Sequence, residues 1–501
     1  MSMDEELRRL ANGVVWPGFL GSAVPDWLEQ ELAAGLAGVV YFAQNLHGDT
    51  AALSARIHEI APLALIGIDE EGGSVTRLET ATGSTAPGAA QLGAVDDLRA
   101  TRATGYEIAR RCDAVGADVV LGPVADVNTD PRNPVIGTRS FGSDTDLVSR
   151  HAAAAVRGIQ DAGLAACAKH YPGHGDTALD SHHDLPRIDA PVAEITARHL
   201  PPFAAVVDAG VQAVMTAHIV VPAWGDAPAT LNPRILGMLR AGGFDGVIVT
   251  DALDMAAVRE TVGLGPGAVA ALNAGADLLC VGNPTNPGQA MLPDQDQHDF
   301  HAVRDAVVEA IRSGALPRER VAEAAARVAR MAERVRSRPA VPETRFDAAA
   351  VVQRAVTVRG RLRPLPDVPT AVIDIRRRSS LAVDSAAGHV ALALAAGGPT
   401  LRWEATADAV RVDAVPVAAG EGPLIVLADR LDAGAAQRAL AERLARAYRA
   451  VIVDVGVPGP AIDDVPVIEV RGAGLLGAQQ ARRLLVGAPY RPSPSELEDL
   501  T

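Results

Sequence analysis

Lysine is almost missing from this chain. Of its 46 basic residues only Lys169 is a lysine, and every other is arginine. The two exchange freely on a solvated surface, but not where a compact ammonium must bond two or three ligand oxygens. A sequence that keeps one lysine marks the place where it keeps it. Other absences narrow the class. No basic run offsets the formal net charge of −15, which argues against nucleic acid or an anionic membrane as partner. No apolar stretch approaches the ~20 residues of a membrane span. The segment Met1–Leu10 is acidic and amphipathic, without the basic start, apolar core and small-residue cleavage site of a signal peptide. Cysteines number three, far apart in sequence. Cys112 lies in a helix-like stretch, and Cys167 and Cys280 lie in apolar, strand-like runs. They read as free thiols in a reducing compartment, not as a disulfide framework or zinc site. The expected location is the cytoplasm.

What is present is a globular composition, 48% hydrophobic and 21% charged, in a chain of 501 residues. That length calls for two domains. The first two-thirds repeats one theme: a short apolar run, a loop rich in Gly, Pro or Asp, then an Ala-rich helical stretch. Strands are expected at Val14–Phe19, Gly38–Phe42, Ala64–Ile68, Ala117–Leu121, Leu164–Ala168, Val211–Thr216, Gly246–Thr250 and Ala276–Val281. These runs lack regular alternation, as parallel strands buried on both faces do. Helix-periodic stretches such as Asp97–Val115, Asp144–Asp161 and Ala190–Ala209 lie between them. Eight strands alternating with helices fit a (β/α)8 barrel of the TIM type, with a doubly wound sheet as the rival. Helical stretches at His301–Ser313 and Arg318–Arg336 complete this domain, residues 1–336. A linker, 337–347, is rich in proline. The remainder, 348–501, starts with a helix at Ala348–Thr357. Strands follow at Thr370–Ile375, Leu424–Ala428, Ala450–Val455 and Val465–Val470, with a helix at Ala435–Tyr448. This half has one histidine, His389, and reads as a smaller αβα sandwich with a loose tail at Pro492–Thr501.

In a barrel, working residues gather at the C-terminal ends of the strands. Those ends carry Asp69-Glu70-Glu71-Gly72-Gly73 with Arg77; Asp126 and Asn128, leading to Asn133–Phe141; Lys169-His170-Tyr171-Pro172-Gly173-His174-Gly175; Met215-Thr216-Ala217-His218; and Thr250-Asp251-Ala252-Leu253-Asp254-Met255. One such polar group is often structural. Five strand ends delivering them to one rim are hard to explain by packing, because each costs desolvation unless it has a partner. Asp251 follows an apolar run and has two readings: a nucleophile for a sugar anomeric carbon, or an N-cap for a helix at Ala252–Val258. In Asp180-Ser181-His182 the aspartate can fix the imidazole tautomer of a general acid/base, although a solvated polar loop reads the same way. Pro172, Gly173 and Gly175 exclude the continuous helix that a zinc pair at His170 and His174 would need.

Together these segments resemble glycoside hydrolase family 3, in its β-N-acetylglucosaminidase branch. They span about residues 60–260 in the family's order, and the C-terminal half is similar in kind to the sandwich of two-domain members. The resemblance implies a retaining, exo-acting enzyme that removes terminal β-linked N-acetylglucosamine. Asp251 falls on the nucleophile, and His182 on the acid/base, oriented by Asp180. Asp69, Arg77, Arg139, Lys169 and His170 fall on positions that hold the sugar hydroxyls, and Met215 on the apolar wall. One departure is visible: Glu70 stands where the family usually has Gln, an added carboxylate beside Asp69. No metal and no cofactor are implied. The expected partner is a small carbohydrate, with peptidoglycan recycling as a setting; the oligomeric state is not readable, and a monomer is compatible.

Three rival readings fit these residues less well. A metal-dependent amidohydrolase needs a His-x-His at the first strand, and Val14-Val15-Trp16-Pro17-Gly18 has none. Participation of the substrate's acetamido group needs a paired Asp-Glu, which Asp69-Glu70 could mimic, but this leaves Asp251 and His182 without a role. A sugar-binding module without turnover has no physical reason to keep that pair. A phosphorylase on the same residues stays open, since a neutral imidazole does not repel an incoming phosphate as a carboxylate would.

Overall fold

The computed structural model describes residues 2–177, 185–338, 342, 346–376, 388–403, 423–431 and 435–488. Among these residues the first domain shows, after a helix at Met3–Asn12, eight parallel strands: β1 (Val15–Pro17), β2 (Gly38–Tyr41), β3 (Leu65–Ile68), β4 (Val119–Val120), β5 (Ala165–Tyr171), β6 (Ala213–Thr216), β7 (Val247–Val249) and β8 (Leu279–Gly282). Strands β2 to β7 pair in sequence order, β1 pairs with β8, and a Val249–Leu278 bridge joins β7 to β8. A doubly wound sheet would reverse direction within this order. Here the order never reverses and first meets last, so the sheet is a barrel.

Side chains alternate across each strand. Leu65, Val119, Cys167, Met215, Val249 and Cys280 belong to one buried cluster, the barrel interior. Ile66, Val120, Ala166, Val214 and Ile248 belong to another, the layer under the outer helices. Trp16 fills the interior and donates from its ring N–H to the Leu65 carbonyl at 2.8 Å. A side chain at Gly67 would meet the Trp16 ring at 2.4 Å, which accounts for glycine there. Val328, Met331, Ala332 and Val335 of the helix Arg318–Arg336 pack against the same interior cluster.

Helices Leu98–Ala114 and Thr145–Asp161 begin where Asp97 and Asp144 cap them. The single helix expected over Ala190–Ala209 is two, Val192–Arg198 and Pro201–Asp208. The pair Pro201-Pro202 has no N–H to continue the first helix and is suited to starting a second. Strand β5 runs to Tyr171, three residues past the expected end, so Lys169 and His170 sit on the strand itself. All three cysteines are buried and unpaired.

Among the described residues the second layered unit shows six strands: β9 (Thr357–Arg359), β10 (Ala371–Asp374), β11 (Thr400–Arg402), β12 (Leu424–Ala428), β13 (Val451–Asp454) and β14 (Val467–Glu469). Their order is β11-β10-β12-β13-β14-β9, parallel except for β9. Ile425 and Leu427 pack with helices Gly388–Ala395 and Leu475–Val486, while Val426 and Ala428 pack with helix Ala435–Tyr448 on the other face. That is an αβα sandwich. Helix Ala348–Ala355 straddles both units, with Val351 in the barrel's outer cluster and Val352 in the sandwich core. The tail Pro492–Thr501 lies outside the described residues. No helix among the described residues is long and apolar enough to cross a membrane.

Candidate active site

Strand alternation builds the barrel mouth. Two residues beyond the inward positions Gly67, Cys167 and Val249 come Asp69, Lys169 and Asp251, which line one cleft at the C-terminal ends of the strands. Arg77, Arg139, His170 and Met215 line the same cleft. All the expected pocket residues within the described set are therefore brought together. Asp180 and His182 fall in 178–184, outside the described residues.

The lysine is held by two carboxylates, with Nζ 2.6 Å from Asp69 Oδ1 and 2.7 Å from Glu71 Oε1. Glu71 also receives Arg139 in a fork, Nε to Oε2 at 2.9 Å and Nη2 to Oε1 at 2.8 Å. Arg77 stands 3.7 Å from Asp69 Oδ2. Burial pushes the Asp69 and Glu71 carboxyls up, but the neighbouring cations pull harder: Lys169 and Arg77 on Asp69, Arg139 and Lys169 on Glu71. Both end below the usual carboxylate range. Burial lowers Lys169 and Arg139, and the carboxylates more than restore them, so both stay charged. This fixed ionic lattice suits the hydroxyls of a sugar, which can donate to carboxylates and accept from cations.

Glu71 was missed by sequence reasoning as a site residue, yet alternation could have found it. Asp69 and Glu71 share a parity, and Glu70 has the other. Neither glutamate lines the cleft itself, but Glu71 bonds Lys169 and Arg139, which do. Glu70 Oε2 instead accepts from the Thr76 hydroxyl at 3.0 Å and from the backbone N–H of Arg77 at 2.8 Å and of Leu78 at 3.1 Å. The added carboxylate thus supports the segment that presents Arg77 instead of charging the pocket. Burial pushes its carboxyl up to about 7, against the pull of those hydrogen bonds.

Asp126 is the second residue whose role was missed. Fully buried, it sits 2.8 Å from His170 Nδ1 and accepts from the backbone N–H of His170 at 3.2 Å and of His174 at 2.7 Å. His170 therefore carries its proton on Nδ1, and Nε2 faces Arg139 Nη2 at 3.5 Å. His174 also lines the cleft. Burial pushes it down to about 4, so it is neutral near pH 7. Residues 172–177 form no helix, as the breakers required. Among the described residues no three His, Cys, Asp or Glu side chains are grouped to hold a metal.

Asp251 lies just past β7. Its N–H donates to Thr216 Oγ1 at 3.3 Å, and its Oδ1 accepts from the Ala252 N–H at 2.8 Å. The helix expected at Ala252–Val258 is Ala256–Arg259, and its N-cap position is Met255. Asp251 is too far upstream to cap it, so the capping reading fails. Nearby, Asp254 fills the space beside Gly282, where a Cβ would lie 1.9 Å from Asp254 Oδ1.

The sandwich grips the loops that carry this site. Gln91 donates to the Val470 carbonyl at 2.9 Å, Ala473 N–H to Ser74 Oγ at 2.9 Å, and Leu475 N–H to the Ser84 carbonyl at 2.9 Å. Arg430 reaches the Pro134 carbonyl at 3.4 Å.

A (β/α)8 barrel joined to an αβα sandwich, with charged residues of several strands meeting at the barrel mouth, is the architecture of a two-domain barrel enzyme. The N-terminal domain of glycosyl hydrolase family 3 matches residues 22–331, and the chain belongs to that family; it is a glycosidase. It is 37% identical over 295 residues to a β-hexosaminidase of Chromobacterium violaceum, spanning 56% of this chain and 82% of that one. A β-hexosaminidase of Mycobacterium tuberculosis is 34% identical over 279 residues, spanning 54% and 68%. Among solved structures, a family 3 β-N-acetylglucosaminidase from Paenibacillus sp. superposes with a TM-score of 0.81 at 29% identity, covering 98% of this chain and 97% of that one. A β-glucoside phosphorylase shares the fold at 19% identity, with a TM-score of 0.73 over 98% and 92% of the two chains.

Proposed function

We propose that this protein is a retaining, exo-acting β-N-acetylglucosaminidase, acting in the cytoplasm on small N-acetylglucosaminides such as those of peptidoglycan recycling. The observation that carries the reading is the place of Asp251, just past the end of β7, in one cleft with Asp69, Lys169 and Arg139, the last two held from behind by Glu71. The curated relatives named β-hexosaminidase support the sugar class. The proposed division of labour keeps residues 1–336 as the catalytic barrel, 337–347 as linker and 348–501 as the sandwich that steadies the site loops.

In the proposed mechanism Asp69, Arg77, Arg139, Lys169 and His170 orient the terminal sugar, with Met215 against its apolar face. His182, oriented by Asp180, gives its proton to the glycosidic oxygen while Asp251 attacks the anomeric carbon. The aglycone leaves as an alcohol and a glycosyl ester forms on Asp251. His182, now neutral, takes a proton from water; the hydroxyl attacks the same carbon and frees Asp251. If phosphate replaced water, the product would be a sugar 1-phosphate. A neutral His182 imidazole would not repel that phosphate as a carboxylate acid/base would, which is the physical support for that second reading.

An Asp251→Asn variant tests the assignment. Turnover should fall by at least about 1000-fold with substrate binding retained. Unchanged turnover would remove Asp251 from the mechanism.

A further inference from the structure

Three side chains close a ring of hydrogen bonds around the segment that carries Asp251. Thr216 Oγ1, at the end of β6, accepts from the Asp251 N–H at 3.3 Å and lies 2.8 Å from Thr230 Oγ1. Thr230 Oγ1 lies 2.9 Å from His218 Nδ1. His218 Nε2 lies 2.9 Å from the Ala252 carbonyl oxygen. Thr216, His218 and Thr230 are all fully buried. The proton positions follow from the partners. A carbonyl only accepts, so Nε2 carries the hydrogen and, in the neutral ring, Nδ1 accepts. The Thr230 hydroxyl is within donating distance of both Nδ1, at 2.9 Å, and the Ala217 carbonyl, at 3.0 Å; donation to Nδ1 still leaves that carbonyl the Thr230 backbone N–H at 3.3 Å. Thr216 then donates to Thr230, and its lone pairs receive Asp251 N–H. The ring holds the peptide groups on both sides of the Asp251–Ala252 bond, whose own N–H is bonded to Asp251 Oδ1.

We propose that His218 is a positioning residue for the Asp251 carboxylate, acting through the Ala252 carbonyl, with Thr230 and Thr216 fixing its tautomer and closing the ring. This rests on the reading of Asp251 as the nucleophile. A carboxylate only two bond rotations from the backbone keeps its line of attack when that backbone is held, and Thr216 at the end of β6 and His218 just beyond it hold it on both sides. The histidine touches neither the sugar nor the attacking oxygen in this account. Its effect is on the chemical step and not on the lattice of Asp69, Glu71, Arg139 and Lys169 that binds the sugar.

The test compares His218→Leu, which removes the N–H donor, with His218→Gln, whose amide places a donor near the position of Nε2. With an aryl β-N-acetylglucosaminide, His218→Leu should lose kcat by roughly 100-fold with KM within about twofold. His218→Gln should recover most of it. Thr230→Val gives a second reading if the leucine variant does not fold: kcat falls and KM holds. A loss shared equally by the Leu and Gln variants, or one confined to KM, would overturn the proposal. Labelling with a ring-fluorinated N-acetylglucosaminyl fluoride separates the two levels. A label on the peptide containing Asp251, formed in His218→Leu as fast as in the parent, overturns the role of His218 alone. A label on another residue overturns the nucleophile assignment and the positioning role with it.

Discussion

Lys169 and Glu71 form an ion pair of 2.7 Å inside the barrel mouth, both nearly sealed from solvent at 3% and 7% side-chain exposure. Glu71 is the keystone, because the same carboxylate takes the fork of Arg139. Buried pairs are weak evidence for stability, but breaking one leaves an uncompensated charge in low dielectric. Glu71→Gln leaves Lys169 and Arg139 sharing one neutral group. The variant should lose about 3–5 kcal/mol of stability by urea denaturation, with a raised KM. Lys169→Arg should not be neutral either, since a planar fork cannot replace a point charge between Asp69 and Glu71.

Glu70 makes stability depend on pH in a particular direction. Its carboxyl is raised in the fold from an ordinary 4.5 to about 7 by burial. Between those values the folded protein holds a proton that the unfolded chain has released, so stability falls as pH rises through the window. Glu70→Gln keeps an acceptor oxygen for Thr76, Arg77 and Leu78 and cannot ionise. Relative to the parent, it should be more stable at pH 8 by on the order of 3 kcal/mol, with the gain absent near pH 4.5. Measuring both proteins across that range checks the sign, and a gain independent of pH would contradict it. His174 acts oppositely: held down to about 4, it costs stability as pH falls below 6.5.

Asp126 fixes His170 from below. Asp126→Asn replaces a charge-assisted bond to Nδ1 with a weaker one and lets the imidazole choose the other tautomer. Because His170 is assigned to sugar binding, the expected effect is a KM raised by about 10-fold or more, with kcat less affected. Steady-state kinetics separate the two parameters.

Gly282 has φ +120, a conformation that disfavours any side chain, and a Cβ there would strike Asp254 Oδ1. Gly282→Ala should destabilise the barrel by more than about 2 kcal/mol, seen as a lower Tm.

Much of this architecture is legible in the sequence because its signals are local. The lone Lys169 and the strand-end carboxylates Asp69 and Asp251 announce a site, and the caps Asp97 and Asp144 announce helices. Glu71 and Asp126 acquire their roles from partners about 40 to 100 residues away, Arg139, Lys169 and His170, which no local pattern reveals. The strand β9 is missed for another reason. It is three residues long, exposed at two of them, and exists only by pairing with β14. The late start of the helix after Asp251 reflects tertiary bonds: Leu253 and Asp254 donate to the carbonyls of Cys280 and Val281 and hold that segment as a turn against β8.

One measurement tests the proposed activity most directly: release of aryl alcohol from an aryl β-N-acetylglucosaminide and from the matching β-glucoside, with and without phosphate. The predicted result is a clear preference for the N-acetyl sugar at a rate that phosphate does not change. A rate that rises with phosphate and yields sugar 1-phosphate contradicts hydrolysis and makes the enzyme a phosphorylase. Turnover of neither sugar contradicts the proposed activity altogether.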